Sequence, residues 1–294
     1  MRILLDSRDL IDLAEHGRPT TIREFETYLR QGNHENVLSF TNIRELAGPL
    51  AAGGEFLQIR PILQELERVP HTYIREITIV GEEIRSAVNS FENGAEYQSA
   101  EVYTDRWDRT LMPVPGQQES PADNWVNLRL DEIVYYIYLG RQEVFAPPQR
   151  HLSRWQALLV EDRARLRAGE APSRQHFINA LKRHANSHHV DLPNGREDQF
   201  AEWVYENPDR CPGLRLHHET YRAVMANVTD TPEAADFSDL AHVFAVPYVQ
   251  AATLDRRMRH YCRVASRELV RLGCASNYSD RIHQDLGSVM QRMP

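Results

Sequence analysis

The stretch "RILLDSRDLIDLAEHG", residues 2–17, predicts the start of an α/β fold. Its first residues, from Ile3 to Leu5, form a short apolar run that ends in Asp6, a pattern typical of a strand buried on both faces. The remainder predicts a short helix that ends at Gly17. A strand followed by helix indicates a parallel sheet covered by helices.

The next residues repeat this alternation. The segment "TTIREFETYLRQG", residues 20–32, places its apolar side chains on one face of a predicted helix. The segment "NVLSFT", residues 36–41, is rich in β-branched and aromatic residues and predicts a second strand. Residues 42–50 predict another helix, with Asn42 as its cap. We therefore predict an α/β fold with a parallel sheet.

The middle of the chain has a helical pattern. In "TYIREITIVGEEIRSAVNSF", residues 72–91, the apolar side chains recur at helical spacing. Further helices are predicted at residues 130–140, 151–169, 174–185, 197–207 and 217–228. We therefore predict a large, mostly helical insertion, residues 51–228, within a core made of residues 1–50 and 229–294.

The α/β pattern returns in "ADFSDLAHVFAVPYVQAATLDRRM", residues 235–258. Asp236 and Asp239 are predicted to open a helix, and Asp255 ends the apolar run "YVQAATLD". These acids flank a segment with the composition of a buried core, and burying unpaired negative charge is costly. Their placement therefore calls for a compensating group.

Five acids hold comparable positions in this predicted sheet: Asp6 ends the first apolar run, Glu45 follows the second, and Asp236, Asp239 and Asp255 belong to the last α/β segment. The carboxyl ends of parallel strands and the adjacent helix starts lie along one edge of such a sheet, where ligands bind. Each acid alone also has an ordinary explanation as a helix cap or dipole partner. Together they would repel one another unless a cation compensates them, and oxygen ligands without a nearby Cys fit Mg²⁺ or Mn²⁺.

Charge and cysteine content narrow the class of protein. The 294-residue chain has a net charge of −8, which does not by itself suggest a nucleic-acid partner. Residues 256–271 nevertheless hold six arginines against the single acid Glu268. Such a basic stripe can attract phosphate, although it is equally typical of a solvated helix face. The three cysteines have no C-x-x-C spacing, which argues against a disulfide framework and a thiolate zinc site.

No apolar run is long enough to span a bilayer. The opening "MRILLDSRDL" also has a charge inside the stretch that would have to be the apolar part of a signal peptide. We therefore expect a cytoplasmic protein with no membrane partner.

The motifs described above resemble those of PIN and PIN-like nuclease domains. The segment "ILLDSRDLIDL" is similar to the opening of that family, in which an Asp followed by Ser or Thr ends the first strand. The segment "LSFTNIREL" resembles the second strand and the helix that carries a Glu, and "SDLAHVFAVPYVQAATLDRRM" resembles the closing motif. One bacterial PIN-like subgroup is similar in a fuller pattern, which here comprises Asp236, Asp239, His242, Pro247 and Tyr248.

The resemblance covers roughly residues 1–50 and 229–275 and leaves the middle unexplained. It implies a three-layer α/β/α PIN-like core. It also implies a metal-dependent phosphodiesterase, above all an endoribonuclease, that uses Mg²⁺ or Mn²⁺ to activate water and needs no protein nucleophile. The partner would be RNA, with single-stranded DNA as the other candidate. Similar domains occur as toxins and in phage defence, and no residue here decides the setting or whether a homo-oligomer or protein partner is involved.

Carried over residue by residue, the resemblance implies that Asp6, Glu45, Asp239 and Asp255 are catalytic and hold the metal. Asp236 would be an additional carboxylate at the metal or behind it.

Further residues take supporting roles by the same resemblance. Ser7 and Thr253 would orient the carboxylates through their hydroxyls, and His242 would be a packed or supporting histidine rather than a ligand. Arg8 stands where many family members have Asn, so it would be either a phosphate contact or a sign of altered chemistry. Substrate contacts are also expected from two arginines that directly follow the site, Arg256 and Arg257.

Two alternatives remain open from the sequence. One is a PIN-like module that has lost catalysis and has a nucleic-acid-binding or regulatory role. Arg8 is the residue that suggests this alternative, because it departs from the family's pattern. The other is a phosphatase of the haloacid dehalogenase type, which also begins with an Asp after a buried strand. That chemistry needs a second Asp two residues later, where this chain has Arg8, so we rank it low.

Overall fold

The protein is described by a computed structural model. The residues that it describes are 1–16, 20–51, 53–107, 128–139, 157, 160–165, 168, 174–227 and 234–292. The helix predicted over residues 151–169 lies largely outside these residues.

The described residues contain one six-stranded sheet. Its strands are β1 (Arg2–Leu4), β2 (Glu35–Ser39), β3 (His71–Ile74), β4 (Tyr103–Thr104), β5 (Ala251–Thr253) and β6 (Ile282–His283). Their order across the sheet is β4-β3-β2-β1-β5-β6, and every neighbouring pair is parallel except β3 and β4. The predicted α/β fold with a mostly parallel sheet is therefore confirmed.

Strand β1 lies in the middle of this sheet. Ile3 pairs with Asn36 of β2 on one side and with Ala251 of β5 on the other. The segments that leave the carboxyl ends of β1, β2 and β5 consequently start side by side, although β1 and β5 are separated by most of the chain.

Helices connect these strands. They are α1 (Ser7–Ile11), α2 (Ile22–Gln31), α3 (Phe40–Leu46), α4 (Gly48–Ala51), α5 (Phe56–Leu66), α6 (Ile79–Asn93), α7 (Leu130–Leu139), α8 (Arg174–Ser187), α9 (Glu197–Glu206), α10 (Pro212–Ala226), α11 (Ala234–Val243), α12 (Arg256–Arg271) and α13 (Leu286–Arg292). A π-helical turn, Asp12–His16, extends α1. Each described helix is too short or too polar to cross a membrane.

Helices pack on both faces of the sheet because successive strand residues point to opposite faces. On one face, Ile3 and Leu38 belong to an apolar cluster with residues of α2, α3, α5 and α7. On the other face, Leu4 and Val37 belong to a cluster with residues of α10, α11 and α12. This arrangement has three layers, helix, sheet and helix. A separate apolar cluster joins α6, α8 and α9 to the start of α10.

The segment 72–91 differs from its predicted single helix. It forms strand β3, a turn, and then helix α6 from Ile79. Tyr73 and Ile74 pair with Leu38 and Ser39 of β2. This backbone pairing overrides the helical spacing of the apolar residues, because a strand of four residues is too short to be distinguished from a helix by its sequence pattern. Strand β4 also arises from the range predicted as a helical insertion, so two of the six described strands come from residues 51–228.

The start of α3 also differs from the prediction, because its cap is Ser39 and not Asn42. The Ser39 hydroxyl accepts a hydrogen bond from the Asn42 backbone N–H at 3.0 Å, and the Asn42 side chain accepts one from the Ser39 backbone N–H at 3.0 Å. This reciprocal capping box begins the helix directly at the end of β2. It thereby carries Glu45 back over the carboxyl edge of the sheet.

Candidate functional site

Asp6 directly follows β1 and caps α1. Its carboxylate accepts a hydrogen bond from the backbone N–H of Arg8 at 2.8 Å. Its own backbone N–H donates to Oγ1 of Thr253 at 2.7 Å, which ties the end of β1 to the end of β5. Burial raises the pKa of Asp6, and the charge of Glu45 acts in the same direction. The pKa of Asp6 is therefore raised mainly because its carboxylate is removed from water, while the hydrogen bond from Arg8 and the charge of His242 act in the opposite direction.

Glu45 is held in place by side chains from the two neighbouring segments. Ser7 Oγ donates to Glu45 Oε2 at 2.6 Å, and Asn42 Nδ2 donates to Ser7 Oγ at 3.2 Å. The same Asn42 amide donates to the carbonyl of Leu5 at 2.9 Å. Ser7 thus makes the contact expected of a residue that orients a carboxylate. Thr253 instead holds the backbone of Asp6.

Asp239 lies inside α11 and does not open it, because the helix already begins at Ala234. Among the described residues, no hydrogen bond or ion pair reaches its carboxylate. The pKa of Asp239 is raised to about 8, mainly by burial and then by the charges of Asp255, Asp6 and Glu45, with His242 acting in the opposite direction. The structure therefore brings the four carboxylates that were predicted as catalytic into one electrostatic cluster.

Asp255 follows β5, as the sequence predicts, and caps α12. Its carboxylate accepts a hydrogen bond from the backbone N–H of Met258. This half-buried carboxylate lies close enough to Asp239 for its charge to be the largest charge contribution to the raised pKa of Asp239. Asp255 can therefore serve both as a helix cap and as an oxygen ligand.

His242 is buried between two glutamates. Its Nε2 atom lies 3.8 Å from Oε2 of Glu45, and its Nδ1 atom lies 3.6 Å from Oε1 of Glu76. Although burial lowers the pKa of His242, these carboxylates outweigh burial and raise it to about 9. The expectation of a supporting histidine agrees with this position behind Glu45.

Glu76 is one residue that the sequence analysis missed. It is 4 % exposed, its Oε2 accepts a hydrogen bond from the backbone N–H of Thr41 at 3.0 Å, and its Oε1 has no hydrogen-bond partner. It follows the carboxyl end of β3. Asp6 and Asp255 were predicted because each ends an apolar run typical of a buried strand. The same rule would have identified Glu76 if β3 had been predicted.

Asp9 is the second missed residue. It is 4 % exposed, and its Oδ2 has no hydrogen-bond partner. Burial raises its pKa to about 6, the charge of Asp6 adds to this, and a hydrogen bond with Thr253 acts in the opposite direction. Asp9 is three residues after Asp6, and this spacing places both acids on one face of a helix. The sequence pattern could therefore have identified Asp9 as a neighbour of Asp6.

Asp236 and Arg257 have a different arrangement from the one predicted. Asp236, in the first turn of α11, is buried and forms an ion pair with the guanidinium of Arg257 on α12. Each of these predicted site residues therefore has the other as its partner, because a buried carboxylate requires a counter-charge. Neither the expected metal contact of Asp236 nor the expected substrate contact of Arg257 follows from this geometry.

Arg8 and Arg256 are exposed. Within the described ranges, no ion pair joins either guanidinium to a carboxylate. The charge of Arg8 lowers the pKa values of Asp6 and Asp9 against the stronger effect of their burial. Both arginines are thus available to an anionic ligand that approaches the carboxylates.

The donor set fits a hard divalent cation by its chemistry. Asp6, Glu45, Asp239 and Asp255 offer only carboxylate oxygens, which Mg²⁺ and Mn²⁺ prefer, and Asp239 has no compensating partner in the described part of the chain. As they stand, no three or more described His, Cys, Asp or Glu side chains are grouped so that they could hold a metal ion. Binding would therefore require these side chains to converge.

Comparisons of the chain with models of known protein families, with curated proteins and with solved structures found no match.

Proposed function

We propose that this protein is a metal-dependent phosphodiesterase, most specifically a PIN-like endoribonuclease. The observation that carries the proposal is the position of Asp239, a carboxylate without a described partner whose pKa is raised to about 8 beside Asp255, Asp6 and Glu45. These acids come from four separate segments that meet at the carboxyl edge of a parallel sheet, the usual place for a ligand. A cluster of this kind is fully ionised at neutral pH only when a cation compensates it.

The four clustered carboxylates would hold the ion. A bound divalent cation would supply an activated water for in-line attack on a phosphodiester and would offset the charge that develops on the leaving oxygen. Ser7 would keep Glu45 in place, and Thr253 would fix the backbone of Asp6. We leave Asp236 out of this set because its carboxylate pairs with Arg257.

His242 supports the site from behind. Its imidazole lies between Glu45 and Glu76, so in its protonated form it offsets the half-buried carboxylate of Glu45 and the buried carboxylate of Glu76. This role differs from that of a metal ligand, because both ring nitrogens face carboxylates of the protein. His242 would therefore set the position and charge of Glu45.

The choice of RNA rests on the resemblance of the opening, second-strand and closing motifs to PIN-like domains. The three-layer arrangement of helices around a mostly parallel sheet is compatible with that family. Exposed arginines beside the carboxylates, Arg8 and Arg256, supply the positive charge that a phosphate backbone requires.

One observation favours the alternative of a catalytically silent module. The charge of the Arg8 guanidinium acts on both Asp6 and Asp9 and partly opposes the increase in pKa that burial causes in each. A built-in cation at this place reduces the charge that a metal ion would compensate. Such a protein would bind nucleic acid through its arginines and would not cleave it.

The deciding experiment is a cleavage assay. The purified chain is incubated with labelled single-stranded RNA, hairpin RNA and single-stranded DNA, each in Mg²⁺, Mn²⁺ or EDTA. We expect cleavage of RNA with a divalent ion, none in EDTA, and none by Asp239→Asn. The matched control, Asp191→Asn, changes an exposed aspartate outside the cluster and should cleave like wild type. Binding without cleavage under every metal condition would contradict the proposed enzyme and support the silent module.

A further inference from the structure

Helix α12 presents a row of arginines on its outer face. Its other face is buried against the sheet and α10 through residues such as Met258, Cys262 and Leu269. The outward side chains line an open groove of about 280 Å³, and they are Arg256, Arg259, His260, Arg263, Val264 and Arg267. The four arginines follow one another at steps of three or four residues, so they lie along a single stripe of the helix. We call this surface the arginine groove.

The positive charge of the arginine groove is not neutralised by the described protein. No ion pair joins Arg256, Arg259, Arg263 or Arg267 to a carboxylate in the described ranges. The guanidinium of Arg259 has a buried Nη1 atom without a hydrogen-bond partner. Like charges so close together are unfavourable unless an anion lies among them.

The other arginines of α12 are engaged differently. Arg257 pairs with Asp236, and Arg271 pairs with Glu268 at 3.3 Å. Arg263 lines the groove, and its Nη2 also donates to the backbone carbonyl of Ile282 at 2.7 Å. The groove arginines differ from Arg257 and Arg271 in having no carboxylate partner among the described residues.

The arginine groove begins at the carboxylate site. Asp255 caps α12, and Arg256 is the next residue. At a helical rise of about 1.5 Å per residue, the stripe from Arg256 to Arg267 extends about 16 Å from that cap. A chain of phosphates that lies along it would consequently enter the site at its Arg256 end.

We propose that the arginine groove binds the phosphate backbone of a single nucleic-acid strand and leads it to the carboxylate site. The inference rests on the proposed function for the nature of the polymer. Guanidinium forks match phosphate oxygens, and a strand carries its charges in a row, as the groove does. The groove is lined mainly by cationic side chains, and its single aromatic ring belongs to His260. Such a lining contacts the phosphate backbone and not the base edges. Binding should therefore be independent of base sequence.

An acidic protein surface is the other class of partner that a row of arginines could recognise. The groove disfavours it, because Val264 is its one apolar lining residue and stable protein interfaces have an apolar core. A polyglutamate competitor distinguishes the two, since it carries carboxylates without phosphodiesters.

The test is a binding titration of the full-length chain in EDTA, so that cleavage cannot interfere. Labelled single-stranded oligouridylate and oligothymidylate are the probes, and fluorescence anisotropy is measured over a series of salt concentrations. The variant is Arg256→Gln/Arg267→Gln, which removes two exposed groove charges. The control is Arg68→Gln/Arg271→Gln, which removes two exposed charges elsewhere, each paired with a nearby glutamate. Thermal unfolding of each protein checks that it is folded.

We expect the groove variant to lose roughly 20-fold in affinity at about 0.1 M salt for both probes. The slope of log K against log salt should fall by about 1.4, which corresponds to two lost phosphate contacts on a single strand. The control should retain the wild-type affinity and slope. An equal loss in both variants, an unchanged slope in the groove variant, or full competition by polyglutamate would overturn the proposal.

These outcomes are separate from those of the cleavage assay. If no metal supports cleavage while the groove variant still loses binding, the arginine groove stands and the phosphodiesterase proposal fails. If the groove variant binds and cleaves RNA like wild type, the groove proposal fails and the phosphodiesterase stands.

Discussion

The Nδ1 atom of His242 lies 3.6 Å from Oε1 of Glu76, a residue 166 positions earlier in the chain. This contact joins α11 to the segment that follows β3. It shows that the carboxylate cluster has a second layer, in which one buried imidazole faces acids from two strand ends.

Replacing Glu76 with Gln tests this second layer. The pKa of His242 should fall below its wild-type value of about 9, because one of the carboxylates that stabilise the imidazolium is lost. The free energy of unfolding at neutral pH should fall by about 3 kcal/mol, since the variant weakens a buried charge pair. NMR titration of the His242 ring and urea unfolding measure the two effects. The control is Glu96→Gln, an exposed glutamate, and an unchanged His242 titration would refute the role assigned to Glu76.

Asp239→Asn separates metal chemistry from folding. Metal-dependent cleavage should fall about a hundredfold or more, since even residues behind the ligands of metal sites cost 10- to 100-fold. In EDTA at pH 8 and above, the variant should be at least as stable as wild type. The reason is that ionised Asp239, with its pKa raised to about 8, is repelled by Asp255 and Asp6. RNA affinity in EDTA should not change. A variant that unfolds while its folded fraction cleaves normally would show that Asp239 is only structural.

Ser7→Ala tests whether the 2.6 Å hydrogen bond to Glu45 positions this carboxylate. We expect cleavage to fall about 10- to 100-fold, with a loss of only about 1 kcal/mol in the free energy of unfolding. Cleavage rate, metal affinity and urea unfolding are measured together. Ser99→Ala, at an exposed serine, is the control. If cleavage is retained while stability falls, the hydroxyl serves the fold and not the site.

Glu83, which is not part of the carboxylate cluster, makes the free energy of unfolding depend on pH. It belongs to α6, and its fully buried carboxylate lies against the start of α10, where it accepts hydrogen bonds from the backbone N–H groups of Gly213 and Leu214 and from the hydroxyl of Tyr248. Burial raises its pKa from 4.5 to about 7, although these donors act in the opposite direction. A glycine is required at position 213, because a Cβ there would lie 2.7 Å from the backbone oxygen of Phe244 and 2.9 Å from Glu83 Oε1.

The raised pKa of Glu83 determines whether its contribution to stability rises or falls with pH. Since the folded protein holds the Glu83 proton more tightly than the unfolded chain, this contribution is fully present below pH 4.5 and is lost as the pH rises to about 7. The difference in unfolding free energy between wild type and Glu83→Gln should therefore fall by about 3 kcal/mol across this window. Denaturant unfolding at several pH values measures it, with Glu96→Gln as the control. Parallel curves for wild type and Glu83→Gln would contradict the prediction.

Arg257→Gln should act on stability and not on binding. The substitution leaves the buried carboxylate of Asp236 without its guanidinium partner, so the free energy of unfolding should fall by about 1 to 3 kcal/mol. The salt dependence of RNA binding should stay as in wild type. Arg256→Gln, one residue earlier and exposed, should show the opposite pattern. A change in the salt slope of Arg257→Gln would restore this residue as a substrate contact.

The sequence was sufficient to predict the parallel sheet and the placement of four acids within electrostatic reach of one another, although as described they are not grouped closely enough to hold a metal ion. Asp6 and Asp255 follow apolar runs, and such runs show where a buried parallel strand ends. Since parallel strands share one carboxyl edge, residues that end separate strands are brought together by the sheet itself. The catalytic and metal-holding roles of these acids remain predictions.

The second layer of the site could not be predicted in the same way. Glu76 follows a four-residue strand whose sequence pattern is indistinguishable from that of the helix after it, and the strand is defined by its pairing with β2 and β4. Asp236 and Asp239 are equally acidic and three residues apart, yet one pairs with Arg257 and the other does not. Which acid obtains a cation depends on how α11 and α12 pack, and that information is not local in sequence.

The pairing of β1 with β5 determines when this protein can become complete during its synthesis. Residues 3 and 4 find their partners only at 251 and 252, so the central ladder cannot close until the ribosome has passed that point. At about 5 to 20 residues per second, Asp6 and Glu45 wait on the order of ten seconds or more for Asp239 and Asp255. Until then a nascent chain carries only Asp6 and Glu45, half of the four clustered carboxylates, and the central pair of strands stays open.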